Sequence, residues 1–427
     1  MWGRPIGGVL LDDDSETAVF EYEPAFAQSR IEIAPLTMPL RAGERYAFPT
    51  LARETFRGLP GLLADSLPDR YGNALIDAWL ASQGRSPESF NVVERLCYIG
   101  TRGMGALEFE PSLGPTLPAT HALQVDALVE LASEILGQRE HLRASLADPQ
   151  RAATLQAILE VGTSAGGARA KAVIAWNPET NEVRSGQVNA GPGFQQWLLK
   201  FDGVSGNRDK ELEDPLGFGV VEYAYALLAR EAGIVMSPCR LLEENGRRHF
   251  MTRRFDRLAG DEKLHMQTLG AIAHFDYNQA GASSYEQAFL VIRQLGLSMD
   301  AVEQQFRRMT FNVVARNQDD HVKNVAFLME QDGRWRLAPA YDLTHAYQPD
   351  GRWTSQHQMT INGKRDGFTL ADLRAVAEVA SMKRGRAETI VGEVTSAVTR
   401  WDAFAEQAGL DEERAAQIAA THRIMLA

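Results

Sequence analysis

Alternation of apolar and polar positions changes character along this chain. Short β-like runs open it, at residues 8–11, 18–20 and 30–33, and helical spacing takes over before about residue 110. A stretch rich in Pro and Gly, from Pro111 to Pro118, then breaks the pattern and predicts a linker over 111–121. Helical spacing resumes over 123–147, and strand signals return at 171–176 and 196–201. In the second of these, Trp197, Leu199 and Phe201 alternate with Leu198 and Lys200, which sets a cationic tip on the face opposite three large apolar groups. A helix is predicted over 217–232, with Val220, Ala224, Leu227 and Leu228 as its core stripe. Glu222 falls on the far side with Ala226 and Ala229, so it is either a solvated charge or, where the small alanines admit another element, a partner for Lys200.

From about Asp300 the pattern is mostly helical, with Val302, Phe306, Met309 and Val313 marking one helix. Ile390, Val394, Val398, Trp401 and Phe404 mark a C-terminal one, read as core. The interruption is a pair of short strands, 325–328 and 335–337, around the turn signal Gln331-Asp332-Gly333. Strands first and helices afterwards predict an α+β chain. The expected parts are a small mixed α/β domain over 1–110, a sheet-bearing lobe over 122–265 and a helical lobe over 266–427.

Composition narrows the class. A chain of 427 residues accommodates two or three domains and a sizeable core. A net charge of −12 and a pI near 5.4 argue against a dedicated nucleic-acid binder. Cys97 and Cys239 sit among apolar residues with no C-x-x-C spacing, as expected of reduced core cysteines rather than a zinc site or disulfide framework. The N-terminus lacks the plan of a signal peptide and no apolar run is long enough to span a bilayer, so a cytoplasmic protein without membrane association is expected.

The chemistry concentrates in Asn317-Gln318-Asp319-Asp320-His321-Val322-Lys323-Asn324 and, after the predicted hairpin, Ala340-Tyr341-Asp342-Leu343. Phosphoryl transfer needs one carboxylate to orient the accepting hydroxyl, and a second carboxylate with an amide to hold Mg²⁺ on the nucleotide phosphates. Asp319, Asp342 and Asn324 supply those types, and Asn324 follows Asp319 at the interval found in protein-kinase catalytic loops. A hairpin returns its ends to one place, so Asn324 and Asp342 are expected side by side. Together these features predict an ATP-dependent phosphotransferase. A loop of small residues, Thr163-Ser164-Ala165-Gly166-Gly167-Ala168-Arg169-Ala170-Lys171, precedes the first strand of the later sheet and offers backbone amides to phosphate oxygens. His321 beside two acids also admits a hydrolase metal site with His345 or His357, but their spacing fits no such arrangement and the Asn suits Mg²⁺ better. His321 is expected instead to brace the loop through a hydrogen bond or to lie near the transferred phosphate.

Over nearly its full length the chain resembles the HipA family of serine/threonine kinases, the toxin halves of bacterial toxin–antitoxin pairs. The resemblance is carried by Leu59-Pro60-Gly61-Leu62-Leu63-Ala64-Asp65-Ser66-Leu67-Pro68-Asp69, by the segment from Asp319 to Asn324, and by Ala338-Pro339-Ala340-Tyr341-Asp342. It implies a two-lobed protein-kinase-like fold, with the kinase domain over about 155–395. It makes Asp319 the catalytic base, with His321 and Lys323 beside it, and makes Asn324 and Asp342 the Mg²⁺ ligands. Lys200 and Lys171 become ATP-phosphate contacts together with Ser164, Gly166 and Gly167, and Glu222 the partner of Lys200. Thr252-Arg253-Arg254-Phe255-Asp256 becomes the hinge, where backbone groups of Arg253 and Phe255 hold adenine and Asp256 approaches the ribose. Ser164 matches the family's autophosphorylated serine, although Ala170 and the adjacent Thr163 depart from the commoner loop. The resemblance further implies a helix-turn-helix antitoxin of HipB type as partner, DNA contact only through it, and a protein substrate of the aminoacyl-tRNA synthetase class. Two alternatives stand beside it: a nucleotide-binding co-repressor acting through the antitoxin, and a small-molecule kinase.

Overall fold

The computed structural model describes residues 1–12, 14–115, 123, 125–137, 158–159, 162, 169–204, 216–258 and 262–426. They fall into two compact units. The first comprises Met1–Trp2, Ser66–Val220 and Pro238–Lys263, and the second Gly3–Asp65, Val221–Ser237 and Leu264–Ala427.

The first unit is built on a five-stranded antiparallel sheet. Its strands are β4 (Lys171–Trp176), β5 (Val183–Ser185), β6 (Gln195–Lys200), β7 (Cys239–Glu244) and β8 (Arg247–Arg253), in the order β5-β4-β6-β8-β7. β4 and β6 coincide with the strand signals, whereas β7 and β8 were not anticipated: Arg240, Glu243, Arg247 and Arg248 dilute their apolar pattern. The alternation read in β6 holds, with Trp197 and Leu199 buried and packed with Ile174, Trp176 and Met251. Helices Arg70–Ser82 and Val125–Gly137 contribute to the same core. Asp69 caps the first of them, accepting from Gly72 N at 2.7 Å. Cys97 and Cys239 are buried and not disulfide-bonded. Of the expected linker, residues 111–115 are described, and Leu113 N donates to Cys97 O at 3.0 Å, so this part is tied to helix Val92–Ile99.

The second unit carries two three-stranded sheets among the described residues. In the first, β1 (Gly7–Asp12) pairs β2 (Thr17–Tyr22), and β2 pairs β3 (Arg45–Tyr46). Residues 30–33 are not a strand, contrary to their alternating β-like pattern. Arg30 takes a left-handed φ of 63°, which breaks an extended run. The buried Ile33 instead offers its carbonyl to Gln267 Nε2 at 2.8 Å.

The second sheet has the order β11-β10-β9, from β9 (His265–Thr268), β10 (Ala326–Met329) and β11 (Trp335–Leu337). β10 and β11 form the expected hairpin, with Phe327 opposite Leu337 and Met329 opposite Trp335. Helix Met299–Val314 buries Val302, Phe306, Met309 and Val313 as its spacing required. Ile390, Val394, Val398 and Trp401 of the C-terminal stripe are core and Phe404 is half-buried, and the stripe lies on two helices, Arg386–Val398 and Trp401–Ala408. Helix Phe218–Glu231 is buried nearly all round: Ala226 and Ala229 are as inaccessible as Val220 and Ala224, and Glu222 is 2% exposed. The solvated reading of Glu222 is therefore corrected, because the stripe of small residues also packs.

Candidate active site

The acidic loop is held from below by a chain of hydrogen bonds in the second unit. Helix Met299–Val314 delivers it, and Asn317 N returns to Asn312 O at 3.0 Å. Gln318 N donates to Ala346 O at 3.0 Å, which fastens the loop to the segment after β11. The brace itself is Asp320, whose side chain is wholly buried. One of its oxygens accepts from Gln358 N at 2.7 Å, and the other from Tyr285 Oη and His357 Nδ1, both at 2.8 Å. Burial pushes the Asp320 carboxyl up, but the His357 ring and the donated hydrogen bonds outweigh it and hold the carboxyl below its usual range.

The neighbouring Asp319 is the opposite kind of residue, with a side chain 41% exposed. Its backbone carbonyl accepts from Asn324 Nδ2 at 2.8 Å, which closes the loop across a short 3₁₀ turn, Val322–Asn324. One N–H of the amide is engaged in this way, and Oδ1 remains as an acceptor that Asn324 can present. His321 Nε2 stands 3.8 Å from Asp319 Oδ1, beyond hydrogen-bond reach, so the bracing expected of His321 falls to Asp320 instead. The Lys323 ammonium lies over the Tyr277 ring at 4.6 Å.

The hairpin brings the second acidic segment back to this loop. Ala338 N donates to Ala326 O at 2.9 Å, extending the ladder past β10 and β11. Tyr341 Oη donates to Lys323 O, and one small cavity is lined by Arg308, Asp320, His321, Asn324, Tyr341 and Leu343. The two residues flanking Asp342 thus share a cavity with Asn324. Asp342 itself takes a left-handed φ of 57°, which Asp tolerates better than most side chains and which turns the chain sharply there. Arg308 was not anticipated: its Nη2 donates to Ala338 O at 2.7 Å, and burial pulls the guanidinium down to about 10. Nothing in its helical position distinguishes it from a surface arginine. Asp65, within the Leu59–Asp69 motif, also touches this region through β9. It accepts from Thr268 N at 2.7 Å and Thr268 Oγ1 at 2.8 Å, and while burial pushes its carboxyl up, the Lys323 charge pulls the other way.

The remaining candidates belong to the first unit. Lys171 and Lys200 face each other across β4 and β6, on the sheet face opposite Trp197 and Leu199. Lys171 is buried with its ammonium 3.2 Å from Asp69, and Lys200 lies 5.8 Å from the Phe250 ring centroid. Ser164, Gly166 and Gly167, with Thr163, lie outside the described residues. In the hinge, Arg253 N is already spent on Pro238 O at 2.8 Å, so only its carbonyl side suits the adenine role; Phe255 is half-buried. Asp256 departs most from expectation. Its inaccessible carboxylate accepts from Arg254 Nε at 2.9 Å, and from Arg254 Nη2, Arg257 Nη1 and Gly105 N, each at 2.7 Å. A carboxylate so enclosed ties residues 103–105 to the hinge and has no face left for a ribose. Burial pushes it up, yet the two guanidiniums hold it far below the usual carboxylate range.

Among the described residues, one carboxylate and imidazole cluster has metal-like proximity: Asp126, Glu244 and His249, with ligand atoms within 4.8 Å of one another. Asp202 N donates to His249 Nδ1 at 2.9 Å, which occupies that nitrogen and leaves the neutral ring's proton on Nε2. Neither nitrogen is then available to a metal. The cluster is no competitor to the acidic loop.

A sheet-bearing unit, a helical unit and an acid-and-amide loop closed by a hairpin define an α+β, protein-kinase-like fold. Comparison with known proteins agrees. The HipA N-terminal domain matches residues 1–110 and the HipA-like C-terminal domain residues 163–421, so the chain belongs to the HipA family. Among solved structures it is similar to one of the Shewanella oneidensis MR-1 toxin–antitoxin system HipA, HipB and its operator DNA. There the TM-score is 0.67 at 18% identity, over 97% of this chain and 92% of that one. A second, the Helicobacter pylori proinflammatory kinase CtkA, gives a TM-score of 0.31 at 10% identity, over 50% of this chain and 90% of that one, too low to bear on the fold. No curated protein matches the chain.

Proposed function

We propose that this HipA-family protein is an ATP- and Mg²⁺-dependent serine/threonine-protein kinase acting as the toxin of a toxin–antitoxin pair. The observation that carries the reading is the division of labour in the acidic loop. Asp320 is consumed in bracing, the adjacent Asp319 is solvent-facing, and a hairpin returns the Asp342 segment to the cavity that Asn324 lines. In this reading Asp319 orients the accepting hydroxyl and takes its proton. Asn324 Oδ1 and the Asp342 carboxylate are hard oxygen donors of the kind Mg²⁺ prefers, and would hold the ion. When bound, that ion would neutralise charge on the nucleotide phosphates. Lys323 and His321 border the site, and Lys200 and Lys171 supply cations for phosphate, with Glu222 as the partner of Lys200.

The finer assignments rest on family resemblance. They are autophosphorylation of Ser164 as a self-limiting step, a protein substrate of the aminoacyl-tRNA synthetase class, and a HipB-type antitoxin that makes any DNA contact on behalf of this acidic chain. Support for the partner is that the similar Shewanella structure contains HipB and operator DNA. A cytoplasmic setting suits these roles, and no helix among the described residues is long and apolar enough to cross a membrane. The test is phosphoproteomic comparison of cells expressing the wild type with cells expressing Asp342→Ala. New phosphosites present only with the wild type are expected, and their sequences would identify the target. Equal phosphoproteomes from two well-folded proteins would refute kinase function.

A further inference from the structure

The Leu59–Asp69 motif that carries the family resemblance also has a structural role. Residues 59–65 lie against residues 268–274 within the second unit. Gly61 N donates to His274 Nε2 at 2.9 Å, and a Cβ at Gly61 would come within 2.1 Å of Ala271 O, so only glycine permits this approach. Asp65 completes the contact by accepting from both Thr268 N and Thr268 Oγ1. Thr268 Oγ1 in turn accepts from Ala271 N at 3.2 Å, capping helix Leu269–Ala273. The next residue, Leu269, donates its N–H to Val325 O at 2.7 Å, and Val325 adjoins Asn324. The same helix backs the 3₁₀ turn, where Gly270 leaves a gap of only 3.1 Å between a would-be Cβ and Val322 Cγ2.

We propose that Asp65 is a positioning residue for the acidic loop, acting through Thr268 and Leu269 on Val325 and so fixing Asn324. On this view residues 1–110 are no mere appendage to the kinase domain, because one of their carboxylates sets the register of the loop that does the chemistry. The inference rests on the kinase reading for its catalytic consequence, though not for the bracing itself. A half-buried acceptor that satisfies two donors cannot be removed without leaving both to find new partners, and the helix start they fix bonds through Leu269 N to the residue beside Asn324.

The test uses the full chain with Asp65→Ala and Asp65→Asn, read by amide hydrogen exchange and by ATP-dependent phosphate incorporation. In Asp65→Ala, exchange of residues 268–271 and 322–325 should quicken by about tenfold or more, the scale of one lost hydrogen bond. The kcat should fall about tenfold to a hundredfold while the KM for ATP stays within about threefold, as for a misplaced rather than absent group. Asp65→Asn keeps an acceptor oxygen for one of the two donors and should restore part of both effects. Thr268→Val, which removes the hydroxyl that donates to Asp65 and caps Ala271 N but leaves Thr268 N on Asp65, is the second variant should Asp65→Ala not fold. Unchanged exchange at 322–325 would overturn the proposal, and so would quickened exchange with an unaltered kcat. A wild type that transfers no phosphate would instead remove the kinase reading, and exchange at 322–325 would then decide by itself whether Asp65 holds the loop.

Discussion

The acidic loop and the hinge each carry a carboxylate expected to meet a ligand, and the protein treats the two differently. In the hinge, Asp256 stands alone between Arg254 and Arg257 and is consumed by them and by Gly105 N. In the loop two acids stand together: Asp320 takes the bracing, and the side chain of Asp319 is 41% exposed. The difference teaches that a carboxylate beside strong donors becomes structural unless a neighbour accepts those donors first. In the proposed mechanism the role of Asp319 rests on the apparently redundant acid next to it.

The hardest blow to this contrast is Asp320→Ala. It strands Tyr285 Oη, His357 Nδ1 and Gln358 N, and loss of one partner from a buried ionic cluster costs about 3–5 kcal/mol. Thermal unfolding should show a midpoint several degrees lower, whereas Asp319→Ala should move stability by no more than about 0.5 kcal/mol. Equal shifts for the two variants would erase the distinction drawn here. Asp319→Asn sharpens it from the other side: phosphate incorporation should fall about a hundredfold or more, with nucleotide binding by calorimetry unchanged.

A smaller effect is expected at the hinge. Asp256→Asn leaves two buried guanidiniums without their counter-charge and should cost about 2 kcal/mol in denaturant unfolding. The folded carboxyl titrates below its unfolded value, so its contribution is present above about pH 4 and is lost as pH falls through the depressed value. The gap between wild type and variant should therefore narrow below about pH 4. A ribose contact would predict instead that the variant loses discrimination between ATP and its 2′-deoxy and 3′-deoxy analogues, and we expect no change in that ratio.

A pH effect also separates the units. Burial draws His265, His274, His345 and His422 of the second unit down to about 4, and His249 of the first likewise. Each folded value lies below the unfolded one, so the unfolded chain binds more protons and stability declines as pH falls from about 6.5 towards 4. Hydrogen exchange followed across that range should show the second unit loosening more than the first.

Much of this was legible in the chain. The spacing of Val302, Phe306, Met309 and Val313 gave the helix that delivers the loop, and Asp332-Gly333 between apolar runs gave the hairpin. Local signals of that kind survive because periodicity and turn chemistry are properties of neighbouring residues. Charged positions hid β7 and β8, and the alternating β-like run at residues 30–33 misled because the left-handed Arg30 cannot be seen in a pattern. The flanking arginines of Asp256 were visible in Arg254-Phe255-Asp256-Arg257, and they were the signal that this acid would be claimed.

By itself, then, the sequence determined which chemical types were available and which local elements would carry them: the acids, the amide, the delivering helix and the returning hairpin. Tertiary structure alone decided which acid stays solvent-facing and which is spent, and that Asp65 reaches Thr268 from 203 residues away. The reason is that a carboxylate's role follows from the donors around it, and donors distant in the chain become neighbours only when the core closes.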